Sequence, residues 1–145
     1  PRAVADAAWA PLAGRAAAAG VAFSVAVADD VHRAADPEAL RQVLGNLFDN
    51  ALRHTPAGGA IELDVRPADR GTALVVRDTG SGIPAEHLPR VFERFYRVDP
   101  ARSREHGGTG LGLSIVKHLV EAHRGRIDLT SAVGRGTTVR ITLPA

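Results

Sequence analysis

Cysteine and methionine are both missing from this 145-residue chain. Without cysteine the protein has no disulfide, no thiolate metal ligand and no cysteine nucleophile. Because methionine is absent as well, the first residue is not an initiator. We therefore expect the chain to be a processed product or a piece of a longer protein.

Long apolar runs are also missing. The longest nearly apolar stretch runs from Ala16 to Ala28 and contains Gly20 and Ser24. A membrane-spanning helix needs about 20 apolar residues, so this stretch is too short to cross a bilayer. The sequence therefore predicts a segment with no direct membrane contact.

Aromatic residues are scarce, at 4% of the chain, and the formal net charge is only +2 despite a pI near 9.9. Acidic and basic residues are interspersed over most of the length. A nucleic-acid-binding domain usually shows a clustered positive charge with aromatic residues among it. We therefore expect no nucleic-acid partner.

The apolar residues recur with a helical period in some segments and at every second position in others. The helical period and its flanking glycines predict three helices, over residues 6–19, 37–54 and 111–123. Alternating or continuous apolar runs predict five strands, over residues 21–27, 61–65, 72–77, 126–131 and 137–143. This order predicts a single α+β domain over residues 1–145, with the helices layered on one face of a mixed sheet.

The helix over residues 37–54 carries an unusual polar face. Asn46, Asp49, Asn50 and Arg53 share one side of it, although asparagine is a poor helix former. Oxygen ligands beside a cation suit a hydrated Mg²⁺ together with phosphates, because Mg²⁺ takes few protein ligands and keeps waters. A plain solvated face is the alternative.

A second informative segment follows a buried strand and reads Asp78-Thr79-Gly80-Ser81-Gly82-Ile83-Pro84. A carboxylate at a strand end, followed by glycines, lets a flat ligand approach the backbone while the aspartate accepts its hydrogen bond. An exocyclic amine is a natural donor. An ordinary Asx turn is the alternative.

A third segment, from Gly107 to Ser114, is rich in glycine and leads directly into the last helix. Exposed backbone N–H groups at a helix N-terminus bind phosphate. The segment is no P-loop, because Lys117 lies inside the helix. Its glycine content indicates a lid.

Between these two segments lies the only local cluster of positive charge. Its basic residues alternate with aromatic residues, from Arg90 to His106. Such a stretch could hold a polyphosphate, pack a loop or bind nucleic acid.

Taken together and in this order, these segments resemble the catalytic ATP-binding domain of sensor histidine kinases, the two-component signalling family. The N, G1, F and G2 boxes of that family are matched by Leu40 to Thr55, Asp78 to Ile83, Phe92 to Arg97 and Gly108 to Ser114. The resemblance covers nearly the whole chain. It implies the Bergerat (GHKL) fold, a two-layer α/β sandwich with a mixed, mainly antiparallel sheet of about five strands and three helices on one face.

The resemblance also implies roles at the phosphate end of the ligand. Asn50 would bind Mg²⁺, with Asn46 beside it near the phosphates. Arg53 stands where the family often has lysine, and it would meet the phosphates together with Arg97. His54 stands where the family often has tyrosine, which puts its own contact with nucleotide in doubt.

At the base end, Asp78 would accept the adenine amino group, and Thr137 would assist it. The remaining implied nucleotide-binding residues shape the base pocket or let the lid fold over the triphosphate: Gly80, Gly82, Ile83, Gly108, Thr109, Gly110, Leu111, Gly112 and Leu113.

By resemblance, the chain would present the γ-phosphate of ATP to a histidine on a separate dimerisation domain of the same protein. None of its six histidines has the family's phosphoacceptor context, so we expect it not to autophosphorylate alone. The resemblance also implies a cognate response regulator as a partner. It implies a cytoplasmic location for this domain, within a parent protein that can be anchored in the inner membrane. The isolated domain is expected to be a monomer.

Three other functions stay open. An ATPase like type II topoisomerases or MutL needs a general-base glutamate where this chain has Asn46. A protein-serine kinase of the anti-sigma-factor type shares the fold. A non-catalytic nucleotide sensor would keep the same ligands.

Overall fold

The computed structural model describes residues 2–28, 37–69, 71–93 and 112–144. Its helices are α1 (Arg2–Trp9), α2 (Ala13–Ala19), α3 (Pro37–His54) and α4 (Gly112–Ala122). Its strands are β1 (Ala22–Val27), β2 (Ala60–Ala68), β3 (Gly71–Asp78), β4 (Arg126–Ala132) and β5 (Gly136–Pro144). Two short 3₁₀ helices span Ala10–Leu12 and Ala85–Arg90.

The five strands form one sheet in the order β1-β2-β3-β5-β4. The pairing of β1 with β2 is parallel, whereas the other three pairings are antiparallel. This mixed, mainly antiparallel sheet under a layer of helices confirms the predicted α+β fold.

Side-chain alternation assigns one face of the sheet to the core. Leu63 of β2 pairs with Val76 of β3, which pairs with Val139 of β5, and all three are buried. The neighbouring row on the opposite face holds Glu62 and Arg77, which are exposed. The helices therefore cover the apolar face, and the charged face meets solvent.

Helix α3 lies over the middle of this core and keeps its predicted bounds. Its buried residues recur at helical spacing: Leu40, Val43, Leu44, Leu47, Phe48, Ala51 and Leu52. After the last turn, the Thr55 hydroxyl donates a hydrogen bond of 2.7 Å to the carbonyl oxygen of Ala51. α3 packs against α1 on one side and α4 on the other.

The N-terminal helix was predicted as one segment over residues 6–19, but it begins at Arg2 and is interrupted. The 3₁₀ turn over Ala10–Leu12 contains Pro11, which has no N–H for a regular helical hydrogen bond. Trp9, just before the turn, stacks on Phe23 of β1 with ring centroids 3.9 Å apart and meets Phe48 of α3 edge-on. These ring contacts pack the N-terminal segment against the sheet through Phe23 and against the helix layer through Phe48.

Helix α4 ends at Ala122, one residue before the end of the predicted helix over residues 111–123. The left-handed residue there is Arg124, with φ of 61°. The Gly125 N–H donates to the Val120 carbonyl oxygen over 2.8 Å, and the backbone of β5 at Thr142 leaves no room for a Cβ on Gly125. Glycine is therefore required here for close approach to β5.

The 3₁₀ helix over Ala85–Arg90 lies outside the three helices and five strands that the sequence predicts. A helix this short has too few apolar residues to show a period. Within the described ranges, no helix has both the length and the apolar character needed to cross a bilayer.

Candidate functional site

The candidate site centres on Asp78, the last residue of β3. Asp78 pairs with Ile61 of β2 and Thr137 of β5, so its side chain lies on the helix-covered face of the sheet and is only 9% exposed. Its Oδ1 accepts hydrogen bonds from the backbone N–H of Gly80 (2.8 Å) and of Thr137 (3.3 Å). Among the described residues, none donates to Oδ2, which leaves this oxygen for a ligand.

Burial raises the pKa of the Asp78 carboxyl above its ordinary value, because removal from water disfavours the charged form. The hydrogen bonds from the Gly80 and Thr137 N–H groups act in the opposite direction and only partly offset the burial. Keeping this carboxylate charged and partly out of water therefore costs the folded domain free energy. A ligand that donates to the carboxylate would relieve part of this cost.

Two glycines let the loop after Asp78 approach the turn between β4 and β5. Gly82 (φ 77°) lies against the carbonyl oxygen of Ala132, and Gly136 (φ 89°) lies against that of Asp78. A Cβ at either position would overlap this backbone. The Gly134 N–H adds a hydrogen bond of 2.9 Å to the carbonyl oxygen of Ser81, so the loop and the turn form one closed unit.

Ser131 joins the same unit, although none of the sequence motifs described above includes it. Its hydroxyl oxygen accepts from the Ile83 N–H (2.7 Å), donates to the Gly136 carbonyl oxygen (2.9 Å) and lies 2.9 Å from the Thr137 hydroxyl. The available signal was the strand register: a three-residue turn over 133–135 sets Ser131 opposite Thr137.

The C-terminal end of α3 meets the same loop. The Ser81 N–H donates to the His54 carbonyl oxygen over 3.1 Å, and Gly80 lies against that carbonyl with no room for a Cβ. Asn46, Asn50 and Arg53 are half-buried on the polar side of α3. The α3 residues that were predicted to bind phosphate and metal therefore lie on the helix whose C-terminal end contacts the loop that was predicted to bind the base.

Arg53 is held in place by its own helix. Its Nη2 lies 3.0 Å from Oδ2 of Asp49, while Oδ1 of Asp49 lies 2.9 Å from Nη1 of Arg15 on α2. Both carboxylate oxygens of Asp49 therefore contact arginine, so neither is free to bind a metal ion. The Arg53 Nε is buried and has no hydrogen-bond partner among the described residues, whereas the side chain as a whole is 24% exposed.

The last helix supplies two further predicted residues. Gly112 and Leu113 form the first turn of α4, and Leu113 packs partly buried against the core. Lys117 on the same helix lies 5.5 Å above the Phe92 ring, which connects α4 to the segment that follows the second 3₁₀ helix.

The remaining site predictions lie outside the described residues: Arg97, Gly108, Thr109, Gly110 and Leu111. In the ranges that the structure does describe, no group of three or more histidine, cysteine, aspartate or glutamate side chains is placed to hold a metal ion.

Comparison with known proteins gives a consistent result. The family model of histidine kinase-, DNA gyrase B- and HSP90-like ATPases matches residues 35–145. The chain is 49% identical over 119 residues to the sensor histidine kinase CusS of Escherichia coli K12, which covers 82% of this chain and 25% of CusS. The chain thus spans only a quarter of that curated relative.

Solved structures extend the likeness to the whole chain. The mycobacterial sensor histidine kinase MprB superposes with a TM-score of 0.80 at 31% identity, covering 99% of this chain and 93% of that one. Full-length ShkA, solved in complex with AMPPNP, superposes with a TM-score of 0.84 at 29% identity, covering 99% of this chain and 30% of that one.

Replacing Gly136 by alanine should destabilise the domain more than replacing Gly134. Both glycines have positive φ, 89° and 81°, but only Gly136 lies against backbone. We expect a loss of about 1 kcal/mol in the free energy of unfolding for Gly134→Ala, from strain alone. For Gly136→Ala we expect about 3 kcal/mol, because overlap adds to strain. Equal losses in urea titrations would contradict the close approach at Gly136.

Replacing Asp78 by asparagine should stabilise the ligand-free domain near neutral pH. The pKa of Asp78 is raised in the folded state, so the wild-type domain loses stability as the pH rises from the ordinary aspartate value, about 3.9, through the raised pKa. Asparagine does not ionise, and its side-chain oxygen still accepts from the Gly80 and Thr137 N–H groups. The variant's advantage should therefore grow with pH over this window and then level off.

Thermal unfolding of both proteins between about pH 4 and 7 measures this difference. Asp128→Asn, on the exposed face of β4, controls for loss of a carboxylate. An advantage of Asp78→Asn that shrinks as the pH rises would be the wrong sign and would contradict the raised pKa.

Proposed function

This chain belongs to the family of histidine kinase-, DNA gyrase B- and HSP90-like ATPases, and we propose that it is the catalytic ATP-binding domain of a sensor histidine kinase. In this proposal it binds ATP with Mg²⁺ and presents the γ-phosphate to a histidine on a separate dimerisation domain. The observation that carries the proposal is the buried Asp78 carboxylate, fixed through Oδ1 and open at Oδ2.

The base end of the site supports adenine as the ligand. Oδ2 of Asp78 is an acceptor, and the 6-amino group of adenine is a donor, whereas guanine presents an acceptor oxygen at the same position. Glycine at positions 80 and 82 lets the loop pack against the carbonyl oxygens of His54 and Ala132, which fixes the backbone next to Asp78. ShkA, which shares the fold, was solved with the ATP analogue AMPPNP.

The phosphate end supports a triphosphate. Arg53 is positioned by Asp49 and retains a buried donor without a partner. Its side chain is also 24% exposed, so the guanidinium is accessible to a phosphate oxygen, and charge-assisted hydrogen bonds of this kind are among the strongest in proteins. We assign Arg97, Gly108, Thr109, Gly110 and Leu111 to the same end on the strength of the sequence motif alone.

The residues on α3 also suit a magnesium ion that arrives with the nucleotide. Asp49 is occupied by two arginines, so the amide oxygen of Asn50 is the group that we assign to the metal, with Asn46 beside it. Mg²⁺ commonly takes one or two protein oxygens and completes its shell with phosphate and water. When bound, it would neutralise charge on the phosphates.

The reaction that we propose is phosphoryl transfer to histidine. A nitrogen of the acceptor imidazole attacks the γ-phosphorus, the bond from the γ-phosphorus to the bridging oxygen breaks, and the imidazole proton is released. The products are ADP and phosphohistidine. This chemistry depends on positioning and charge neutralisation, which Arg53 and Asn50 supply without a covalent role for this domain.

A histidine acceptor is favoured over water at this site. Hydrolysis requires a general base to activate water, and the helix position available for it holds Asn46, whose amide is not basic. The partners in this proposal are the dimerisation domain of the same protein and a response regulator, both in the cytoplasm. The isolated domain is proposed to be a monomer.

Binding of ATP should depend on Mg²⁺ through Asn50. Calorimetry on the isolated domain should show binding of ATP that is tighter with Mg²⁺ than with a chelator. In Asn50→Ala this difference should shrink by about tenfold, equivalent to about 1.4 kcal/mol. Gln42→Ala, an exposed residue on the same helix, is the matched control. No heat and no thermal shift from ATP in the wild-type domain would contradict the proposal.

Phosphoryl transfer should be detectable in trans. Mixed with the acceptor-histidine domain of its parent and γ-labelled ATP, the chain should produce an acid-labile label on that histidine, and Arg53→Ala should reduce its rate. Label on a serine would move the assignment to the protein-serine kinases of this fold. ATP binding without any label would favour a non-catalytic nucleotide sensor.

A further inference from the structure

We propose that Ser131 determines base selectivity by fixing the direction of the Thr137 hydroxyl hydrogen, so that Thr137 acts only as an acceptor toward the ligand. The inference rests on the proposed function, in which Asp78 and Thr137 meet the base. It concerns a residue outside the sequence motifs that the resemblance assigned.

The Ser131 hydroxyl has a single hydrogen, so it can donate only one hydrogen bond. The Ser131 Oγ has three close partners: the Ile83 N–H at 2.7 Å, the Gly136 carbonyl oxygen at 2.9 Å and the Thr137 Oγ1 at 2.9 Å. An N–H can only donate and a carbonyl oxygen can only accept. The Ser131 hydroxyl therefore donates its hydrogen to the Gly136 carbonyl oxygen. Its lone pairs accept hydrogen bonds from the Ile83 N–H and the Thr137 hydroxyl.

The direction of the third hydrogen bond follows from this accounting. Because Ser131 has no second hydrogen, Thr137 must donate to Ser131. The Thr137 hydroxyl then has lone pairs but no hydrogen left for a ligand. Thr137 is buried at 8% exposure, so water competes little for its hydrogen.

Thr137 and Asp78 therefore both present hydrogen-bond acceptors to a ligand. They are paired residues on adjacent strands and lie on one face of the sheet. Oδ2 of Asp78 and Oγ1 of Thr137 are both acceptors, so this part of the site matches an amino group and opposes a carbonyl oxygen. A free threonine hydroxyl could rotate to serve either group, and Ser131 removes this option.

The test compares ATP with inosine triphosphate, which carries an oxygen in place of the 6-amino group and has the same triphosphate. Wild-type domain should bind ATP more tightly. In Ser131→Ala, the freed Thr137 hydroxyl can donate to the 6-oxygen, so the preference for ATP should fall by about three- to tenfold, as expected for one hydrogen bond. The readout is the ratio of the two dissociation constants.

Two controls separate selectivity from general damage. Thr130→Ala removes a hydroxyl from the adjacent, exposed position of β4 and should leave the ratio unchanged. Ser131→Thr keeps the hydroxyl and should keep the wild-type ratio. A merely structural role for Ser131 would weaken both nucleotides equally, which would leave the ratio in Ser131→Ala at its wild-type value and overturn the proposal.

A second variant protects the test against poor folding of Ser131→Ala. Thr137→Val is close in shape but lacks the hydroxyl, so it should weaken ATP with little effect on inosine triphosphate. The Ser131→Ala, Thr137→Val double variant should have the ratio of Thr137→Val alone, because Ser131 acts through the missing hydroxyl. Additive effects would overturn the proposal, whereas a wild-type domain that binds neither nucleotide would instead refute the proposed function.

Discussion

The buried carboxylate of Asp78 is the constraint around which one end of this molecule is organised. A charge on the core side of a sheet must be met by donors, and here these are backbone N–H groups of Gly80 and Thr137. The Gly80 N–H lies two residues further along the chain and the Thr137 N–H belongs to the paired strand β5, while the loop after β3 and the turn after β4 approach each other closely. That approach requires glycine at Gly82 and Gly136, where backbone occupies the space of a side chain. The two glycines thus hold the loop and the turn together beside this carboxylate.

The two ends of the site carry hydrogen-bonding groups of opposite kind. At the base end, Oδ2 of Asp78 is an acceptor without a donor among the described residues. At the phosphate end, Nε of Arg53 is a buried donor without an acceptor in the same part of the chain. Leaving the buried Nε of Arg53 unpaired costs folding free energy, and the apolar packing of α3 on the sheet must offset it. A nucleotide carries the complementary groups, an amine at one end and phosphate oxygens at the other.

Helix α3 connects these two ends to the rest of the fold. Its apolar side packs on the sheet and between α1 and α4, while its polar side carries Asn50 and Arg53. The N-terminal segment reaches it twice, through the contact of Trp9 with Phe48 and the ion pair of Arg15 with Asp49. Asp49 in turn holds Arg53. The orientation of a residue assigned to phosphate therefore depends on a helix that lies before the family-matched region.

The sequence by itself determined the element order, the bounds of α3, the mixed sheet and the family, because these follow from local periodicity and from motifs of adjacent residues. It could not place the 3₁₀ break at Ala10–Leu12 or the left-handed Arg124, since packing decides between conformations of similar local energy. It also did not point to Ser131, and it did not show that both carboxylate oxygens of Asp49 contact arginine. Those two residues take their meaning from partners distant in sequence: Ile83 lies 48 positions from Ser131, and Arg15 lies 34 from Asp49. Only the tertiary structure decided these roles, because hydrogen-bond capacity is finite and its allocation depends on which groups the fold brings within reach.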